Sequence, residues 1–348
     1  MLWGLAGMDA RRNQMTHLGD TDLWYRTYRT GNDARFTYQL SPNDSLADCT
    51  DLSPAEWRQR SSTFRVDPLN RHPFPDDPLA KPVSSSVTLA GAPAQPWVAP
   101  RPGVLAGNLE ARRFRSALLE NERDIFVYTP PGYQAEGPPH GVLVLFDGWA
   151  YLEWVPTSTI LDNLIAAGRI PSLVAVVVDY AAVEDRDREL PCNPRFADFL
   201  ADELLPWISR RYRVTADPAQ TVVAGSSHGG LAAAYAAFRH PERFGNVLSQ
   251  SGSFWWKPDG DSEPEWLIRR FVEHPHLPLR FYLEVGLLEG LGAVETDQLA
   301  ANRHLRDILR AKGYPLRHEE FNGGHDYVRW RGTLANGLLA LIGREQPG

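Results

Sequence analysis

Hydrophobic and polar positions divide the 348-residue chain into two regions with different periods. Up to about residue 90, apolar and aromatic side chains alternate with polar ones, as in Leu23-Trp24-Tyr25-Arg26-Thr27-Tyr28 and Arg35-Phe36-Thr37-Tyr38-Gln39-Leu40, with Gly31-Asn32-Asp33 between. A period of two interrupted by turn residues predicts a β-hairpin in a small antiparallel domain, with a β-sandwich as its expected form. From Ala90 the chain reads AGAPAQPWVAPRPGVLAG, where repeated Pro and Gly deny the backbone a regular ladder. The expected division is a first domain over 1–90, a linker over 91–107 and a second domain over 108–348.

Past the linker the period changes. Arg123–Thr129 reads as a strand, and Gly141–Phe146, Leu173–Val178, Thr221–Ala224 and Leu279–Val285 are short apolar runs of the kind buried on both faces of a sheet. Helical spacing appears over Asp198–Tyr212, Leu231–Phe238 and Thr296–Lys312, the last stopped by Gly313. Strands alternating with helices predict an α/β fold, a mostly parallel central sheet covered on both faces.

Composition narrows the function classes. The formal net charge of −7 argues against a nucleic-acid partner, and an anionic ligand would need arginines clustered around it. The two cysteines, Cys49 and Cys192, make neither a disulfide framework nor a metal signature. No apolar run reaches the roughly 20 residues of a membrane span, so no membrane partner is expected. In MLWGLAGMDARRNQMTHLGD the apolar opening precedes Arg11 and Arg12, the reverse of a signal peptide, so a cytoplasmic location is expected.

Candidate chemistry centres on Gly225-Ser226-Ser227-His228-Gly229, a G-x-S-x-G pattern between the strand Thr221–Ala224 and a helix expected from near Gly230. A serine on a sharp strand-to-helix turn is the nucleophile of an α/β-hydrolase, and flanking glycines let strand and helix approach closely. A structural turn would also fit five residues; the strand before and helix after favour the nucleophile. The backbone N–H of His228 would then face the oxyanion, with a second donor, the N–H of Trp149, after Phe146-Asp147-Gly148. In this fold the triad runs serine, acid, histidine, which selects His325 in Phe321-Asn322-Gly323-Gly324-His325-Asp326 as base. His228, His240, His304 and His318 are weaker choices, and His274 and His276 read as a solvated loop. Glu289, in the loop after Leu279–Val285, is the first choice of acid, with Glu284 and Asp297 as alternatives and Asp326 as a helix cap.

Several runs carry a resemblance. Glu189-Leu190-Pro191-Cys192-Asn193, Val222-Val223-Ala224-Gly225 into Ser227, Pro241-Glu242-Arg243-Phe244-Gly245, Leu248-Ser249-Gln250-Ser251-Gly252-Ser253-Phe254-Trp255-Trp256 and Gly323-Gly324-His325-Asp326 with Trp330-Arg331-Gly332 resemble the enterochelin esterases. The likeness is dense from about residue 140 onward and thinner before, where Asp67-Pro68-Leu69-Asn70 matches. It implies a serine esterase that opens a tri-catecholate trilactone siderophore such as enterobactin, with iron present only as part of that substrate and no cofactor. By the same resemblance Ser227, His325 and Glu289 carry over as the triad and Arg186 as a contact to the anionic catecholates. Arg188 stands where the family pattern has a histidine, and His228 where it has a bulky apolar residue. Trp255 and Trp256 are expected either as an aromatic wall for the rings or as core. An esterase of the same fold acting on other aryl or acyl esters, feruloyl or acetyl, is the alternative, and an inactive hydrolase fold used for binding is a third.

Overall fold

The computed structural model describes residues 5, 10–47, 52–77, 80–290 and 297–344, which leaves Cys49 outside the described residues. The strands are β1 (Thr16–His17), β2 (Trp24–Tyr25), β3 (Arg35–Tyr38), β4 (Pro73–Phe74), β5 (Ser84–Thr88), β6 (Asn108–Ser116), β7 (Asn121–Thr129), β8 (Gly141–Leu145), β9 (Leu173–Val178), β10 (Thr221–Ser226), β11 (Asn246–Gln250), β12 (Arg280–Gly286) and β13 (Leu316–Phe321). The helices are α1 (Pro54–Ser61), α2 (Gly148–Glu153), α3 (Thr157–Ala166), α4 (Arg186–Glu189), α5 (Pro194–Asp198), α6 (Leu205–Ser209), α7 (His228–Arg239), α8 (Trp266–Glu273), α9 (Gln298–Ala311) and α10 (Tyr327–Ile342); a π-helical turn, Phe199–Leu204, joins α5 to α6.

The main sheet has eight strands in the order β13-β12-β11-β10-β8-β9-β7-β6, parallel from β13 to β9 with an antiparallel β7–β6 edge. Side chains on its central strands alternate between two apolar layers. Val142, Val144 and Phe146 enter the layer filled by α7, α8, α9 and the 194–209 segment, whereas Leu143 and Leu145 enter the layer closed by α3 and α10. Both faces are therefore buried, which is why these strands read as unbroken apolar runs.

The N-terminal region is a small β domain, as expected, with less sheet than a full sandwich. Its described strands form a three-stranded antiparallel sheet in the order β3-β5-β4 and a β1–β2 ribbon, beside α1. The expected hairpin between residues 23–28 and 35–40 does not form. Trp24–Tyr25 pairs instead with Thr16–His17, and Arg35–Tyr38 with Ser85–Thr88. Alternation specifies which face a strand buries but not which strand it joins. The helix expected over Asp198–Tyr212 is present as a continuous helical run over 194–209 with a π-helical turn at its centre, and the one expected from Leu231 starts three residues earlier, at His228.

Candidate active site

Parallel strands in register bring their carboxyl ends to one edge. Ser226 pairs with Gln250, Gln250 with Glu284, and Gly286 with Phe321. The turns that follow β10, β11, β12 and β13 therefore lie side by side, which is where an open α/β sheet places its ligands.

Ser227 occupies the first of these turns with φ 58° and ψ −125°, a strained conformation for a residue with a Cβ. Its surroundings over-determine it. The Ser227 N–H donates to the Gln250 carbonyl at 3.0 Å, and the Ser227 carbonyl accepts from Leu231 and Ser253 N–H groups at 3.1 and 3.0 Å. A Cβ added to Gly225 would lie 2.6 Å from the Gly229 carbonyl carbon, and one on Gly230 would lie 2.5 Å from Ser249 Oγ, so both sites need glycine for strand and helix to meet. Ser227 Oγ is 3.3 Å from Ser253 Oγ.

His325 follows β13, and its Nδ1 lies 2.7 Å from Glu289 Oε2. A carboxylate only accepts, so Nδ1 carries the proton and Nε2 keeps its lone pair for a nucleophile. The other carboxylate oxygen, Oε1, accepts from Ser251 Oγ at 2.6 Å and from the Gly286 N–H at 2.8 Å. The Glu289 side chain has no exposed surface, and the His325 ring, 11% exposed, stands edge-on to Trp330 at 4.7 Å. A buried, doubly anchored carboxylate fixes both the tautomer and the direction of the imidazole.

The other acids are engaged elsewhere. Asp297 caps α9 through the Leu299 and Ala300 N–H groups. Asp326 caps α10, as expected. Glu284 accepts from Thr333 Oγ1 at 2.5 Å, Gln250 Nε2 at 2.9 Å and Tyr282 OH at 2.9 Å beneath the site. Burial pushes its pKa up to about 7 against those three donors. Of the remaining histidines, His240 binds Asp198 at 2.8 Å at the end of α7, His304 binds Glu265, His276 stacks on Tyr314, and burial pulls His318 down to about 4.

His228 opens α7, with its N–H among the unpaired donors of a helix N-terminus. Its ring turns toward Asp187, with Nδ1 3.2 Å from Oδ1. Trp149 is the second residue of α2, and its half-buried ring packs edge-on against Trp154 at 4.4 Å. Burial raises the Asp179 carboxyl against the N–H of Tyr180, which donates to its Oδ1 at 3.0 Å.

Arg186 does not stand as an open cation. Its Nε and Nη2 lie 2.5 and 2.8 Å from the two oxygens of Asp147, a residue in the left-handed region at φ 56° just before α2. Burial opposes the arginine's charge, and the Asp147 carboxylate more than offsets it. Arg188 is exposed and pairs with Asp185 at 2.5 Å. Trp255 lies 6.0 Å from the His228 ring and donates through Nε1 to Gln298 Oε1 at 2.5 Å. Trp256 stands edge-on to Trp266 at 6.2 Å, and both tryptophans pack against the core. Gln250, Ser251, Ser253, Gln298 and Trp330 also support the site, through hydrogen bonds to residues far along the chain that no local pattern marks.

A family model described as "Putative esterase" matches residues 116–341, and one described as "Enterochelin esterase, N-terminal" matches residues 6–98. The chain belongs to the enterochelin esterase family. It is 32% identical to the iron(III) enterobactin esterase of Dickeya dadantii over 96% of this chain and 80% of that protein. Against the iron(III) enterobactin esterase of Escherichia coli K12 the identity is 30% over 96% of this chain and 82% of the relative. The crystal structure of the Shigella flexneri enterobactin esterase in the presence of enterobactin superposes with a TM-score of 0.76 at 29% identity, covering 94% of this chain and 83% of that one. This esterase is thus a carboxylic ester hydrolase. Among its described residues, no helix is long and apolar enough to cross a membrane, and no group of three or more His, Cys, Asp or Glu side chains is arranged to hold a metal ion.

Proposed function

We propose that this esterase hydrolyses the seryl ester bonds of a tri-catecholate trilactone siderophore, in the cytoplasm, with iron entering and leaving as part of the substrate and no cofactor taking part. The observation that carries the reading is the buried Glu289–His325 pair, at the same sheet edge as a strained Ser227, in a chain whose relatives along nearly its whole length include iron(III) enterobactin esterases.

Ser227 Oγ attacks the ester carbonyl while His325 Nε2 takes its proton. Glu289 stabilises the imidazolium, and the His228 N–H bears on the oxyanion, with the Trp149 N–H as the second donor. His325 then gives its proton to the departing alkoxide, the acyl group remains on Ser227, and water activated by the same nitrogen frees it. Arg186 and Trp255 flank the entrance as contacts for catecholate oxygens and rings, and Arg188 lies at the rim. Trp256 acts through packing. The division into an N-terminal domain over 1–90, a linker over 91–107 and a catalytic domain over 108–348 belongs to the same reading.

The test is product analysis with purified protein given ferric and apo trilactones. Linear trimer, dimer and monomer should appear, and Ser227→Ala should abolish them. Cleavage of simple aryl esters with neither trilactone opened would leave an esterase of other substrates and overturn the siderophore reading.

A further inference from the structure

The loop that carries His325 is held from outside its own sheet. Residues 322–326 join β13 to α10, and the segment 33–37, which leads into and along β3, grips them at both ends. Asn322 Nδ2 donates to Asp33 Oδ1 at 2.7 Å. At the other end the Thr37 N–H and hydroxyl both donate to Asp326 Oδ2, at 2.5 and 2.9 Å, while Asp326 Oδ1 accepts from the Val328 N–H at 3.1 Å to cap α10. Between them the Arg35 carbonyl faces Gly323 at ordinary van der Waals range, 3.4 Å from where an added Cβ would stand. Asp326 is 6% exposed, and a buried carboxylate with donors from two separate elements is costly to separate from either.

His325 is the residue between these anchors and Glu289. We infer that β3 is a positioning element for the general base: the N-terminal domain sets the rate of ester hydrolysis on every substrate, small ones included, by holding loop 322–326 where Nδ1 meets Glu289. The inference rests on His325 as the base and not on the siderophore as substrate. A domain that only covered the cleft would alter KM for large substrates and leave small ones untouched. A domain that fixes the base alters kcat for both, because a reacting group displaced by an ångström loses most of its advantage.

The full-length chain is compared with the double variant Asp33→Ala/Thr37→Val, which removes one anchor and the hydroxyl of the other but keeps the Thr37 N–H. Asp326→Asn is a second, independent variant, and Thr37→Ser restores the hydroxyl alone. Each is assayed on p-nitrophenyl acetate and on the ferric trilactone, below the start of its thermal transition. The double variant and Asp326→Asn should each lose about ten-fold in kcat on p-nitrophenyl acetate with KM changed less than about two-fold, and Thr37→Ser should match the parent. Inactivation by an aryl phosphonate, which needs the same base, should slow in parallel. Unchanged kcat on the small ester in either soluble variant, or a Thr37→Ser loss as large as that of the double variant, overturns the inference. If the parent cleaves p-nitrophenyl acetate but not the trilactone, the siderophore reading falls while this comparison stands on the small ester.

Discussion

Glu289 gives one carboxylate oxygen to His325 and the other to Ser251 and the Gly286 N–H, so the carboxylate proposed as the acid of the triad is clamped by its own surroundings. Replacing Glu289 by Gln keeps its size but offers an amide where His325 needs an acceptor. The wrong tautomer is then favoured, and kcat on any ester should fall by about 10²–10⁴ with KM little changed, measured by steady-state kinetics. The same loss in Glu284→Gln or Asp297→Asn, with Glu289→Gln active, would reassign the acid.

Ser227, the proposed nucleophile, stands in a strained backbone at φ 58°. Ser227→Ala and Ser227→Gly should both lose activity and phosphonate labelling, since neither has a nucleophile. Only glycine relieves the strain. Ser227→Gly should therefore unfold at a higher temperature than Ser227→Ala, by the equivalent of about 1 kcal/mol, in a calorimetric scan.

Removing Arg186 leaves Asp147, with its side chain 2% exposed, without its guanidinium. Arg186→Ala should cost about 2 kcal/mol of stability, read as a lower urea midpoint at constant slope, because the arginine itself is partly in solvent. Asp147→Asn in the same chain should recover part of that loss, the mark of direct coupling.

Glu284 is the buried acid outside the proposed relay. Its folded pKa is raised from 4.5 to about 7, so between these values the folded protein holds a proton that the unfolded chain releases. Stability attributable to this group is present below pH 4.5 and is lost as pH rises toward about 7, by about 3 kcal/mol in total. Glu284→Gln, a permanent mimic of the protonated acid, should show a flatter profile and gain on the parent as pH rises through that window, in denaturation series at several pH values. A parallel profile in the two proteins would mean that Glu284 does not titrate there.

The central strands β8, β9, β10 and β12 were legible because burial on both faces leaves an unbroken apolar run. β6 was not, since its exposed positions carry Arg112, Arg113 and Arg115, Glu110 is half-buried, and its two buried residues are Phe114 and Ser116. β11 hides for the opposite reason: Asn246, Ser249 and Gln250 are fully buried polar residues. Asn246 is tied to the carbonyls of Ala219 and Thr221, and Gln250 to Tyr151, Glu284 and Thr333. No local period encodes such partners. The same limit applied to the candidate site. The motif around Ser227 and the glycine loop around His325 are local turns that show in a few residues. The choice among Glu289, Glu284 and Asp297 depends on which turn folds back to His325, and the arginine at 186 gave no sign that Asp147 would neutralise it.

Arg186 and Asp147 form a unit with no net charge, so the entrance beside them does not call to an anion from a distance. The field met by an incoming ferric catecholate is then dominated by the rest of a chain whose formal charge is −7. On the proposed reading, attraction then begins on contact, through hydrogen bonds and ring faces, against the repulsion expected of a chain with this net charge. Added salt would shorten the reach of that repulsion and quicken the encounter, the reverse of what a steered enzyme shows.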